Sequence, residues 1–157
     1  MSSGIYEGRS IFYYESGAIK NKGVYSKGKR AGLFEDFYQD GRIKITTNYV
    51  DDKQDGFLYE YDSSEVITSK QHFQKGLANG ECLFYYPDGK LEMKINFTNG
   101  KEDGDFFQYY ENGSLKGRRE YSKGILKSII SYNQDGTIRG MSISARNTLD
   151  SLSKISR

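Results

Sequence analysis

The sequence predicts an all-β protein: a single-layer antiparallel β-meander of stacked hairpins, closed by a short C-terminal capping helix. Three observations carry that reading. Glycine recurs every 24 residues, an aromatic residue stands five places after each of these glycines, and turn pairs such as Asp88-Gly89 separate the aromatic runs.

The cycle is strict. Gly8, Gly32, Gly56, Gly80 and Gly104 are 24 residues apart, and a sixth cycle starts one residue early at Lys127. Five places on stand Tyr13, Phe37, Tyr61, Tyr85, Tyr109 and Tyr132. Eleven places on stand Ile19, Ile43, Ile67, Leu91, Leu115 and Ile138. Nine places on, Gly17, Gly41, Gly89, Gly113 and Gly136 recur, and only the third cycle departs, with Glu65. Seventeen places on stand Tyr25, Tyr49, Phe73, Phe97 and Tyr121, with Ser144 in the last cycle.

Within a cycle, "YPDGK" sets Pro87 at the first central position of a type I turn and Gly89 at the left-handed position after it. That is a three-residue hairpin loop with a glycine bulge. Tyr86 then pairs with Lys90 and Tyr85 faces Leu91, so the recurring aromatic meets the recurring aliphatic across the strands. A second glycine-rich turn, as in "TNGKEDG", leads to the next hairpin. The repeats give eleven or twelve strands over residues 1–143, extending about 50 Å at about 4.8 Å per strand. In the tail, 144–157, Ala145, Leu149, Leu152 and Ile155 continue from Met141 at spacings of three or four. This spacing predicts the helix that caps the last open strand.

Composition excludes several classes. Only 36% of the 157 residues are hydrophobic, so a large core is not expected, yet 14 Tyr and 9 Phe are too many for a disordered chain. No apolar run is long enough to span a membrane as a helix. The opening "MSSGIYEGRS" has no basic and apolar blocks of a leader, and one cysteine makes no internal disulfide, so a cytoplasmic location is expected. The net charge of +2 is unevenly spread. Between Arg30 and Glu65 nine acids face four bases, a balance of −5 that leaves +7 for the remainder.

The pattern G-x4-Y-Y-x2-G-x-L/I, followed by Y-x2-G-K-x2-G, resembles the MORN repeat in its bacterial variant form. "GECLFYYPDGKLEMKINFTNGKEDG" and "GDFFQYYENGSLKGRREYSKG" are the nearest copies, and the resemblance covers about Gly4 to Ile143. It implies a scaffold rather than an enzyme. Bacterial chains of this look resemble the YwqK-like antitoxin or immunity family, and other MORN-like chains bind lipid or protein.

No constellation for catalysis, cofactor or metal binding is expected. His72 is the only histidine and lies on the opposite strand face from Phe73, without partners in sequence. Cys82 occupies a position filled elsewhere by Ser10, Phe34, Leu58, Phe106 and Ile129, which marks a packing residue. "GVYSKGKR" imitates a phosphate-binding loop but ends in Arg30 and sits in a hairpin. Tyr and Lys interleave in "YYESGAIKNKGVYSKGKR", but the bases scatter through turns, so no nucleic acid is expected.

What remains is surface. One face should carry Ile11, Tyr13, Tyr59, Tyr61, Leu83, Tyr85, Phe107 and Tyr109. The other should carry Tyr14, Phe34, Tyr38, Leu58, Phe84, Tyr86, Phe106 and Tyr110. A single sheet covers only one of them, so the other is a candidate for partner contact. Cycle three loses both its second tyrosine, replaced by Asp62, and its turn glycine. The residues expected to touch a protein partner with a basic surface are therefore Glu35, Asp36, Asp51, Asp52, Glu60, Asp62 and Glu65, with Tyr38, Tyr61 and Tyr86. The alternative is a peripheral scaffold on anionic membranes that uses the basic turns and tail.

Overall fold

The computed structural model describes residues 5–143. They form one antiparallel sheet of thirteen strands: β1 (Gly8–Tyr13), β2 (Ile19–Ser26), β3 (Lys29–Phe37), β4 (Ile43–Val50), β5 (Lys53–Tyr61), β6 (Ile67–Gln74), β7 (Leu77–Ala78), β8 (Gly80–Tyr85), β9 (Leu91–Thr98), β10 (Lys101–Tyr109), β11 (Leu115–Ser122), β12 (Ile125–Tyr132) and β13 (Ile138–Ile143). Each strand pairs with its sequence neighbours, except that β6 pairs both β7 and β8. The count exceeds eleven or twelve because Asn79 splits one expected strand in two. Among the described residues there is no helix, and the capping helix expected for 144–157 lies outside them.

The hairpin register follows from the turn residues. Tyr85 pairs with Leu91, the Tyr86 N–H donates to the Lys90 carbonyl at 2.8 Å, and the Gly89 N–H donates to the Tyr86 carbonyl at 2.9 Å. Gly89 takes φ 81°, the left-handed value this loop requires. The other turns are two-residue loops with both central φ angles positive, such as Lys27 (53°) and Gly28 (78°) between Ser26 and Lys29, the type I′ geometry. Their tips stack. Gly28, Asp52, Gly76, Gly100 and Gly124 donate backbone N–H to Tyr6, Arg30, Gln54, Ala78 and Glu102, each one cycle back.

The third cycle keeps its turn without its glycine. Glu65 adopts φ 63°, and the Asp62 carboxylate accepts from the N–H groups of Ser64 (2.7 Å) and Val66 (3.0 Å). A side chain at that φ costs about 1–2 kcal/mol. Glu65→Gly is therefore expected to stabilise the protein by about 1 kcal/mol, after the glycine's greater chain entropy in the unfolded state is counted. Urea unfolding checks this, and a destabilised variant would show that the carboxylate itself holds the turn.

The core is one layer of side chains on one face. Phe34, Thr47 and Leu58 lie side by side across β3, β4 and β5, and Cys82, Ile95 and Phe106 across β8, β9 and β10. Phe34, Leu58, Cys82 and Phe106 are the buried apolar side chains among the described residues. Cys82 therefore packs, as its place in the cycle predicts. The Phe34 ring sits edge-on to Tyr25 at 5.4 Å and to Tyr49 at 5.3 Å and lies directly over Gly23. This is the closed face.

A second device ties the hairpins together on that face. The hydroxyls of Tyr14, Tyr38, Tyr86 and Tyr110 donate to the carbonyls of Phe37, Tyr61, Tyr109 and Tyr132 at 2.7, 2.7, 2.8 and 2.9 Å. Each tyrosine thus clamps its own hairpin to the next. Asp62 takes this place in cycle three, so the Tyr85 carbonyl has no clamp.

Candidate interaction face

On the opposite face nothing among the described residues covers the sheet. Ile11, Tyr13, Val24, Leu33, Phe57, Ile67, Ile138, Met141 and Ile143 are between 38% and 63% exposed. The register places two rows here. One alternates Tyr or Phe with Ile or Leu, as in Tyr61 beside Ile67 and Tyr109 beside Leu115. The neighbouring row runs through Tyr59, Lys70, Leu83, Lys94, Phe107 and Arg118, alternating apolar and basic residues on successive strands. Lys22 belongs to the same row, in line with Ile11 and Glu35.

The cations of that row are held by neighbours. Lys22 pairs with Glu35 at 2.9 Å, Lys94 with Glu81 at 2.5 Å and Arg118 with Asp105 at 2.9 Å. Lys70 has no ion pair among the described residues and instead lies over the Phe57 ring, 5.0 Å from its centroid. At the β1–β3 end, Arg9, Ile11, Lys22, Val24, Leu33 and Glu35 frame a shallow, mainly apolar hollow of about 350 Å³. The row was missed in the sequence although its signal was there: Lys22, Thr46, Lys70, Lys94 and Arg118 stand 24 residues apart.

The residues expected to meet a partner do not converge on one patch. Glu35 and Tyr61 are on the open face. Asp36, Tyr38, Glu60 and Tyr86 are on the closed face, where the two tyrosine hydroxyls serve as clamps and the Glu60 carboxylate accepts from Ser69 Oγ at 2.7 Å. Asp62 caps its own turn. Asp51 and Asp52 occupy a tip at one end of the strands, and Glu65 is exposed at the other. Most of these carboxylates are engaged within the sheet, and Asp51, 3.9 Å from Lys29, and Glu65 are the freest. His72 is held structurally, with Nδ1 2.7 Å from the Asn79 carbonyl oxygen and its ring edge-on to Phe57.

The acids divide electrostatically. Desolvation raises the Asp36 carboxyl above its ordinary value, against a hydrogen bond to Asn21 and the charges of Lys44, Lys20 and Arg30. The Asp52 carboxyl is held low, first by the Arg30 backbone N–H and then by its side chain. Asp88 is held low by Lys90 and Asp135 by Thr137. A carboxyl lowered on folding stabilises the fold above its unfolded value, and that contribution is lost as pH falls through the folded one. Melting temperature is thus expected to fall below about pH 4, with a shallower fall in Asp52→Asn. Melts taken from neutral pH into acid check this, and an identical acid limb in the variant would contradict it.

Three segments, residues 6–27, 78–99 and 102–123, match the model of the MORN repeat variant. These three segments are similar to the MORN repeat variant. The unmatched stretch 28–77 holds the two turns in which Asp52 and Glu65 replace glycine, and the same sheet runs through it without interruption. No curated protein matches the chain.

Proposed function

We propose that this chain is a non-enzymatic protein-binding module, and that its specific role is immunity: it neutralises a cognate toxin by covering the toxin's active surface. The observation that carries the binding role is the open face, where exposed apolar and aromatic side chains, interleaved with basic ones, have no second layer over them among the described residues. The immunity role rests on the likeness of the repeats to bacterial antitoxin chains. Asp51 and Glu65 flank the face and meet basic groups of the partner, which speeds encounter. The test is capture of the partner from cells that make the protein, followed by expression of that partner alone and with the chain. The reading predicts a stoichiometric partner that arrests growth alone and is harmless with the chain present. A stoichiometric partner without toxicity removes immunity and leaves binding, whereas no partner removes both.

A second reading has its own observation. Lys27, Lys29, Lys53, Lys75, Lys101 and Lys123 stand at the two-residue tips along one margin of the sheet. A scaffold lying on an anionic bilayer would use them. Flotation with vesicles of anionic and of neutral lipid decides it, and absence of binding to the anionic vesicles removes it.

A further inference from the structure

The ribbon is not equally braced along its length. Four tyrosine clamps join adjoining cycles elsewhere, but none reaches the Tyr85 carbonyl, because Asp62 stands in the tyrosine's place. Between other hairpins the strands pair over five or six positions, as in β2–β3 and β11–β12. Here β6 pairs with β8 only through Ser69–Phe84 and Lys70–Leu83, and with the detached β7 through two more pairs. Among the described residues no aromatic pair and no ion pair crosses from β6 to β8, as none crosses from β4 to β5, β9 to β10 or β11 to β12. The seam is tied instead by Asn79, whose N–H donates to the His72 carbonyl at 2.9 Å and whose carbonyl lies 2.7 Å from His72 Nδ1. The core row carries a small side chain here, Cys82, where Phe34, Leu58 and Phe106 stand in cycles two, three and five, although Cys82 and its neighbour Ser69 are each only 1% exposed.

We infer that the β6–β8 seam is the joint of the ribbon, at which two half-sheets, β1–β6 and β8–β13, change their angle and separate before any other pair of strands does. Clamps and strand pairs both act across a seam, so the seam with no clamp and the fewest pairs opens at the lowest free energy. Such a joint lets the two halves of the open face adjust to a partner independently, and it holds whether or not that partner is a toxin.

Cys82 reports on the joint directly. It is the single cysteine, 1% exposed, and it lies on β8 against β6. The experiment follows labelling of Cys82 by an aromatic disulfide reagent in the intact protein over a range of urea below the unfolding transition. The expected result is labelling with a urea slope well below that of global unfolding, since a separating seam exposes only part of the surface. In Asp62→Tyr, which restores the clamp, labelling is expected to slow roughly five- to tenfold. A slope equal to that of global unfolding, or an unchanged rate in a folded Asp62→Tyr, overturns the joint. If that variant does not fold, hydrogen exchange in the wild type decides. Amides of Leu83 and Phe84 exchanging at least roughly tenfold faster than those of Phe106 and Phe107 support the joint, and equal protection overturns it.

Discussion

Gly23→Ala is expected to destabilise the protein by about 2 kcal/mol, the range of an overpacked core. A Cβ at Gly23 would lie 2.4–2.6 Å from three carbons of the Phe34 ring. That ring cannot swing clear, because Tyr25 and Tyr49 stand edge-on beside it and it is 7% exposed. Backbone strain contributes nothing, since Gly23 is not among the glycines with positive φ. The cost is therefore one of packing, and a smaller partner relieves it. Phe34→Leu is expected to lose stability alone, and the double variant to lose less than the sum of the two. Gly140→Ala is the control, with nothing within 4 Å of its added Cβ and an expected change within about 0.5 kcal/mol. Equal effects at Gly23 and Gly140 in urea unfolding would contradict the close approach.

The second large effect falls on binding. Leu33→Glu with Phe57→Glu sets two charges on the open face where the wild-type side chains are 50% and 46% exposed. Side chains already in water lose little on substitution, so each change should alter stability by about 0.5 kcal/mol or less. Capture of the partner is expected to weaken roughly 30-fold or more, the scale of central contacts in an interface. Asp51→Lys with Glu65→Lys, at the two margins, is expected chiefly to slow association and change its salt dependence. If the marginal pair abolished capture and the face pair left it intact, the partner would dock along the strand ends.

Much of the fold was legible in the sequence because the cycle ties each side chain to a position in a hairpin. The Tyr85–Leu91 register, the loop around Gly89 and the packing role of Cys82 all follow from that position. The open face did not follow. Both faces carry aromatic residues at the same period, and alternation says which residues share a face but not which face packs on itself. Burial of Phe34 against Gly23 and the edge-on tyrosines breaks that symmetry, and it needs the register between hairpins. Tyr38 and Tyr86 looked like contact residues for the same reason. Their hydroxyls are spent on carbonyls one cycle ahead, a pairing 23 residues distant in sequence. The acidic stretch misled in a related way. Asp52, Glu60 and Asp62 each accept a hydrogen bond within the sheet, from the Arg30 N–H, the Ser69 hydroxyl and the Ser64 N–H.

Hydroxyl-radical footprinting tests the open face most directly, because it reads each side chain separately and strand neighbours belong to opposite faces. In the free protein, Tyr13, Leu33, Phe57 and Met141 are predicted to oxidise rapidly, and Phe34, Leu58 and Phe106 slowly. In the complex with the captured partner, the first group is predicted to become protected while the second is unchanged. Rapid oxidation of Phe34, Leu58 and Phe106 in the free chain, or protection confined to the strand ends in the complex, would contradict it.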